Sequence, residues 1–161
     1  MHVRTTAVLA ISVSLALSLS ACGSGKNAPT KMITQVTDGV DGSVTTYGND
    51  IKVSSVLLVA QSDGSAVLVG SIVNENPTED NLLGITVGGV NATLSQKSLP
   101  LKQNEPIRFA GDSANASAVI PGLNVAPGNR VKVQLLFATA GQLTLDAIVR
   151  ERTGVYANVG A

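Results

Sequence analysis

Thiol and imidazole chemistry in this 161-residue chain can come only from Cys22 and His2, the single cysteine and the single histidine. One thiol cannot close a disulfide within the chain. Two such residues cannot build a Cys/His zinc cluster, which needs about four soft or imidazole ligands. His2 stands at the extreme N-terminus, a poor place for a general base. An acyl-transfer centre would then have to pair a serine with a lysine or a carboxylate. Lys52, Lys97, Lys102 and Lys132 lie in strand-like or loop-like stretches that read as solvated, with no helix to display an S-x-x-K spacing. Paired acids such as Glu79-Asp80 suit a glycosidase in principle, but they sit in the polar run ENPTEDN (75–81) and read as solvated turn residues. Asp38, Asp41 and Asp63 would bind a hard cation weakly, yet each precedes a glycine, and Asp-Gly is chiefly turn chemistry. Gly88-Gly89 and Gly111 stand alone, so no phosphate-cradling loop is present. Eleven basic residues against eleven acidic ones leave no electrostatic footprint for nucleic acid. These counts predict a protein that is not an enzyme and holds no cofactor and no resident metal.

Cys22 has a chemistry of a different kind. Arg4 provides a short basic start, and residues 7–19 contain only Ala, Val, Leu, Ile and Ser. That run is shorter than the roughly 20 residues of a spanning helix and suits the apolar region of a secretory signal peptide. It ends in Leu19-Ser20-Ala21-Cys22-Gly23, which matches a bacterial lipobox. The expected outcome is cleavage before Cys22 and a diacylglyceryl group on its sulfur. Each buried methylene contributes ~0.8 kcal/mol, and two or three acyl chains anchor stably. The predicted address is the extracytoplasmic face of the cell membrane, with membrane lipid as the first partner. Processing would remove His2, Met1 and Arg4, leaving ten basic against eleven acidic residues and Met32 as the last methionine.

The remaining elements must supply a scaffold for whatever the mature chain does. GSGKNAPTK (23–31) reads as a flexible tether. Residues 32–50 fit either tether or an early edge strand, with DGVDG (38–42) signalling turns. The expected organisation is signal peptide 1–21, lipidated N-terminus and tether 22–43, folded domain 44–151 and a peripheral tail 152–161. Within the domain, IKVSSVLLVA (51–60), AVLVGSIVN (66–74), LLGITV (82–87), VNATLS (90–95), EPIRFA (105–110) and SAVI (117–120) read as strands separated by turn clusters. In NRVKVQLLFA (129–138), Val131, Val133, Leu135 and Phe137 alternate with Lys132, Gln134 and Leu136. In GQLTLDAIVR (141–150), Leu143, Leu145, Ala147 and Val149 alternate with Gln142, Thr144 and Asp146. Period-two alternation marks strands with one wet face, and Ala140-Gly141 between them predicts a hairpin. The pattern predicts an all-β fold, an antiparallel β-sandwich of immunoglobulin-like kind, with a core of Val, Leu and Ile and few rings.

The segments VLVGSIVNENPTEDNLLGITV (67–87), AVIPGLNVAPGNRVKVQLLFATAG (118–141) and LTLDAIV (143–149) give the chain a family likeness. It resembles the periplasmic copper chaperone PCu(A)C family, and more closely the LpqE-like lipoproteins of actinobacteria. The likeness implies a cupredoxin-like β-sandwich. It would also imply Cu(I) held by two histidines and methionines, one pair forming a His-x-Met just before a Gly-Leu turn. Ser117 and Val119 stand in that pair's place, before Gly122-Leu123. The region expected to hold the other pair reads GGVNATLSQKSLPLKQ (88–103), with neither residue. Cu(I) is selected by soft thiolate and thioether ligands, so the expectation is a copper-chaperone scaffold without its metal.

The functional expectation is therefore a non-enzymatic, membrane-anchored envelope lipoprotein that contacts an envelope protein partner through the rim loops 75–81, 88–98 and 111–117. The alternative is copper binding or delivery, through a shared site using Met32 or a hard cation at the acidic turns.

Overall fold

Alternating Val, Leu and Ile with polar residues dictates strands that bury one face, and the computed structural model, which describes residues 38–160, consists of little else. Eleven strands occur among the described residues: β1 (Val40–Val44), β2 (Ile51–Ala60), β3 (Ala66–Asn74), β4 (Asp80–Val87), β5 (Val90–Asn91), β6 (Thr93–Leu94), β7 (Leu99–Leu101), β8 (Ile107–Arg108), β9 (Ala118–Ile120), β10 (Arg130–Phe137) and β11 (Gln142–Arg150). They pair in the order β5-β4-β10-β11-β2-β3-β9-β6, with β1 on β2, β7 on β4 and β8 on β3. The two ends of this path, β5 and β6, are separated only by Ala92, so the sheet curls almost into a barrel around one core. The fold is all-β and antiparallel as predicted, with one exception. β11 pairs with β2 in parallel through Val149–Leu58 and Arg150–Val59, and this joins the two sheets of the sandwich into one hydrogen-bonded layer.

The hairpin read from periodicity is present. β10 and β11 pair from Arg130–Ile148 to Leu136–Gln142, and Phe137 donates its backbone N–H to the Gly141 carbonyl across the turn. Val133, Leu135, Phe137, Leu145, Ala147 and Val149 are buried, while Lys132, Gln134, Thr144 and Asp146 face water. The core is aliphatic, and Phe109 and Phe137 are its rings. Burying each such side chain contributes about 1.5–3 kcal/mol relative to leaving it exposed.

Three features depart from the pattern read from sequence. The first strand starts at Val40, ahead of the boundary drawn at 44, because the glycines of DGVDG serve close approach instead of turns. A Cβ on Gly39 would lie 2.2 Å from the Ser55 carbonyl carbon, and one on Gly42 would lie 2.6 Å from a Leu145 methyl. Asp41 accepts the Ser55 backbone N–H at 2.6 Å. Ser55 itself has φ 56°, a left-handed conformation costing on the order of 1 kcal/mol or more in a residue with a Cβ. It sits in a bulge that lets β2 pair with β1 over its first half and with β11 over its second. The second departure is β7, missed because Pro100 interrupts a three-residue run; it lies on an outer edge of β4, where a missing N–H is tolerated. The third is the tail. No element was read there, and it carries a short 3-10 turn at Gly154–Tyr156, with the Tyr156 hydroxyl on Asp38.

Candidate functional site

Two segments far apart in sequence meet where the family likeness would place a metal. β6 pairs with β9 through Thr93–Val119 and Leu94–Ala118. Ser95 donates its backbone N–H to the Ser117 carbonyl at 3.0 Å, and the Ser117 N–H reaches the Ser95 hydroxyl at 3.2 Å. The fold thus brings 88–98 and 117–119 together, two of the segments named as rim loops or ligand positions. What it presents there is two exposed serines and Val119, while Ala118 and Ile120 point into the core. Hydroxyl and aliphatic groups are not ligands for Cu(I). No group of three or more His, Cys, Asp or Glu placed to hold a metal ion occurs among the described residues, and the sequence from 38 to 160 contains no His, Cys or Met.

Beside this seam lies a shallow groove of about 520 Å³ bordered by Leu83, Leu94, Ser95, Lys97 and Leu136. Leu83 faces out because the β4–β10 register skips it: Leu136 pairs with Gly84, and Phe137 with Leu82. The extra residue of a bulge is left without a partner.

The third rim loop, 75–81, sits apart from the seam at the Asn74 end of β3; Asn74, which precedes it, and Asp80, within it, are the two buried polar residues among those described. Asn74 donates through Nδ2 to the carbonyls of Thr78 (2.8 Å) and Leu101 (2.9 Å), and its Oδ1 accepts the Asn76 N–H. The Asn76 side chain in turn accepts the Thr78 N–H and donates to the Gly48 carbonyl. Asp80 accepts three backbone N–H groups, from Asn81 and Thr139 on Oδ1 and from Ala140 on Oδ2, at 2.7–2.9 Å. Sequence reading placed Glu79-Asp80 together as solvated turn residues. Glu79 is exposed, but Asp80 is only 4% exposed and fastens the β10–β11 turn to β4. No local signal marks it: Asn81 separates Asp80 from Leu82, and the Thr139 and Ala140 amides that hold the carboxylate lie about sixty residues away.

The acidic turns are occupied by the chain itself. Asp63 accepts from the Ser65 hydroxyl (2.7 Å) and N–H (2.9 Å), and these bonds, the hydroxyl's first, hold its carboxyl below the usual aspartate range. Asp41 is committed to Ser55. Asp38 accepts from Arg150 Nη2 at 2.6 Å and from the Tyr156 hydroxyl at 3.1 Å. Burial, and then the bond to Asp38, pushes the Tyr156 hydroxyl above the usual tyrosine value. At the opposite end of β2, the bond to Glu75 raises the Lys52 ammonium. Lys52, Lys97, Lys102 and Lys132 are all exposed. Cys22 and Met32 lie outside the described residues. No helix among the described residues is long and apolar enough to cross a membrane.

This geometry defines a class. The described chain has an all-β fold that matches the cupredoxin-like PCuAC domain. It is similar to the apo PCuAC domain of PmoF1 (21% identity over 69% of this chain and 98% of that one, TM-score 0.56). It is also similar to the copper-bound PCuAC domain of PmoF2 (19% identity, 69% and 97%, TM-score 0.58) and to the apo form of that domain (19%, 65% and 92%, TM-score 0.52). No protein-family model matches the chain, and no curated protein matches it. At these identities the likeness is one of fold.

Proposed function

We propose that this chain is a non-enzymatic envelope lipoprotein, a PCuAC-like scaffold without copper ligands that works as a protein-interaction or accessory module. The narrower kinship with LpqE-like lipoproteins belongs to the same proposal. The observation that carries it is the seam: the fold assembles the segments in which the copper family keeps its ligands, and they hold Ser95, Ser117 and Val119. The lipobox at Cys22 supports an extracytoplasmic, membrane-anchored address, with lipid as one partner and an envelope protein as the other. Loops on a rigid β-scaffold commonly carry contacts; here 88–98 and 111–117 touch through Ser95 and Ser117, while 75–81 lies apart from them. Function by fold alone is analogy, so the tests are chemical. Radiolabelled palmitate should enter the wild-type chain and not Cys22→Ala, and uptake by the variant would remove the anchor from the account. Cu(I) offered against a competing chelator should not be retained; a tight one-to-one complex would replace the accessory reading with copper delivery.

A further inference from the structure

The sequence runs VLLVA in β2 and AVLV in β3 are apolar on both faces, the mark of strands covered on both sides. Val56, Leu58, Ala66 and Leu68 belong to the central core. Their alternates form two cross-strand pairs on the outer face, Leu57–Val69 and Val59–Val67. Leu57, Val59 and Val67 are nevertheless buried, although none belongs to the core cluster. Part of their cover is the chain's own C-terminal segment. A Cβ on Gly160 would lie 2.9 Å from a Val67 methyl, and Tyr156 borders the same hollow as Leu57 and Val69.

The segment covering this strip is weakly fastened. Among the described residues, the backbone hydrogen bonds donated from 152–160 all go to carbonyls of 151–156: Thr153 to Glu151, Tyr156 to Thr153, Ala157 to Gly154 and Val159 to Tyr156. Arg152 also turns inward, onto the Ala157 carbonyl. The polar bonds that fasten it to the sheet come from side chains: the Tyr156 hydroxyl on Asp38, and Gln61 Nε2 on the Val159 carbonyl at 3.4 Å. Tyr156 and Val159 are half-buried and the rest of 151–160 is exposed. A segment with its own internal bonds, few buried contacts and solvent-exposed ties opens locally at a small fraction of the global unfolding free energy.

We propose that residues 151–160 form a releasable strap whose opening uncovers the apolar strip Leu57, Val59, Val67 and Val69. Asp38 is the latch: it takes the Tyr156 hydroxyl with one carboxylate oxygen and Arg150 with the other. The strap stays joined to β11 at Arg150, so it swings without loss of the sheet pairing. This inference goes beyond the accessory role and does not depend on the anchor or on the absence of copper.

The test uses the full chain carrying Val67→Cys, with maleimide labelling at that site resolved by peptide mapping and amide hydrogen exchange measured in parallel. Tyr156→Phe deletes only the latch hydroxyl; Tyr156→Ala deletes the anchor. With Tyr156→Phe, exchange at 154–160 and labelling at Val67→Cys should both accelerate, by about tenfold for one lost bond to a charged acceptor. Tyr156→Ala should exceed that, while amides of β10 and β11 keep their protection in both variants. Tail amides as protected as those of β2 and β3 in the parent would overturn the proposal. So would Val67→Cys labelling that ignores tail opening, or protection lost evenly through β10 and β11 in Tyr156→Phe.

Discussion

The 75–81 loop and the β6–β9 seam are held in opposite ways. At the loop, side chains do the fastening: Asn74 and Asp80 are buried, and together they satisfy backbone groups from β4, β7 and the β10–β11 turn. At the seam the strand ladder does it, through Thr93–Val119, Leu94–Ala118 and the Ser95–Ser117 backbone bond, and the outward side chains have no structural duty beyond one serine contact. A scaffold built this way can change the residues at 95, 117 and 119 without disturbing its fold. The seam's strand pairing asks for no metal ligand at these positions, so likeness of fold to a copper-bound domain carries no copper with it.

That contrast is open to measurement by urea unfolding. Asp80→Ala should have the largest effect, a loss of about 3 kcal/mol, because three backbone N–H groups lose a charged acceptor at once. Asn74→Ala should cost about 2 kcal/mol, leaving the Leu101 carbonyl without its donor. A neutral result for either would mean that the loop is held by something other than this network. Asp38→Ala removes an exposed ion pair and should cost under about 1 kcal/mol, yet loosen the tail locally. The same latch responds to alkali. Because the folded state raises the Tyr156 hydroxyl, its contribution is complete below the ordinary tyrosine value, near pH 10, and fades as pH climbs through the raised one. Tail exchange should therefore quicken above about pH 10 beyond the chemical rate, with Asp38 and Arg150 as the charged groups facing the ring. Ser117→Ala should be the smallest change, within about 0.5 kcal/mol of the parent.

How much of this was legible in the sequence follows from which forces set each part. β2, β3, β10 and β11 were read to within a residue, since period-two alternation and Gly-bounded turns are local signals. The resemblance also located Ser117 and Val119 before pairing showed them beside residues 93–95. β1 and its glycines were ambiguous because Asp-Gly looks the same whether glycine supplies a turn or makes room for Ser55 and Leu145. Asp80 was misread because burial of a carboxylate depends on the 139–140 amides, some sixty residues away. The Asp38–Tyr156 bond spans 118 residues and has no local signature at all.

The central claim is that the seam holds the copper family's position without the copper chemistry, and one titration tests it. Cu(I) is added under a competing chelator to the wild-type chain and to a Ser117→His/Val119→Met variant, with retention followed for both. The account predicts no retained metal in the wild type and measurable retention once an imidazole and a thioether face out at positions 117 and 119. A stoichiometric wild-type complex, unchanged by the double substitution, would contradict it.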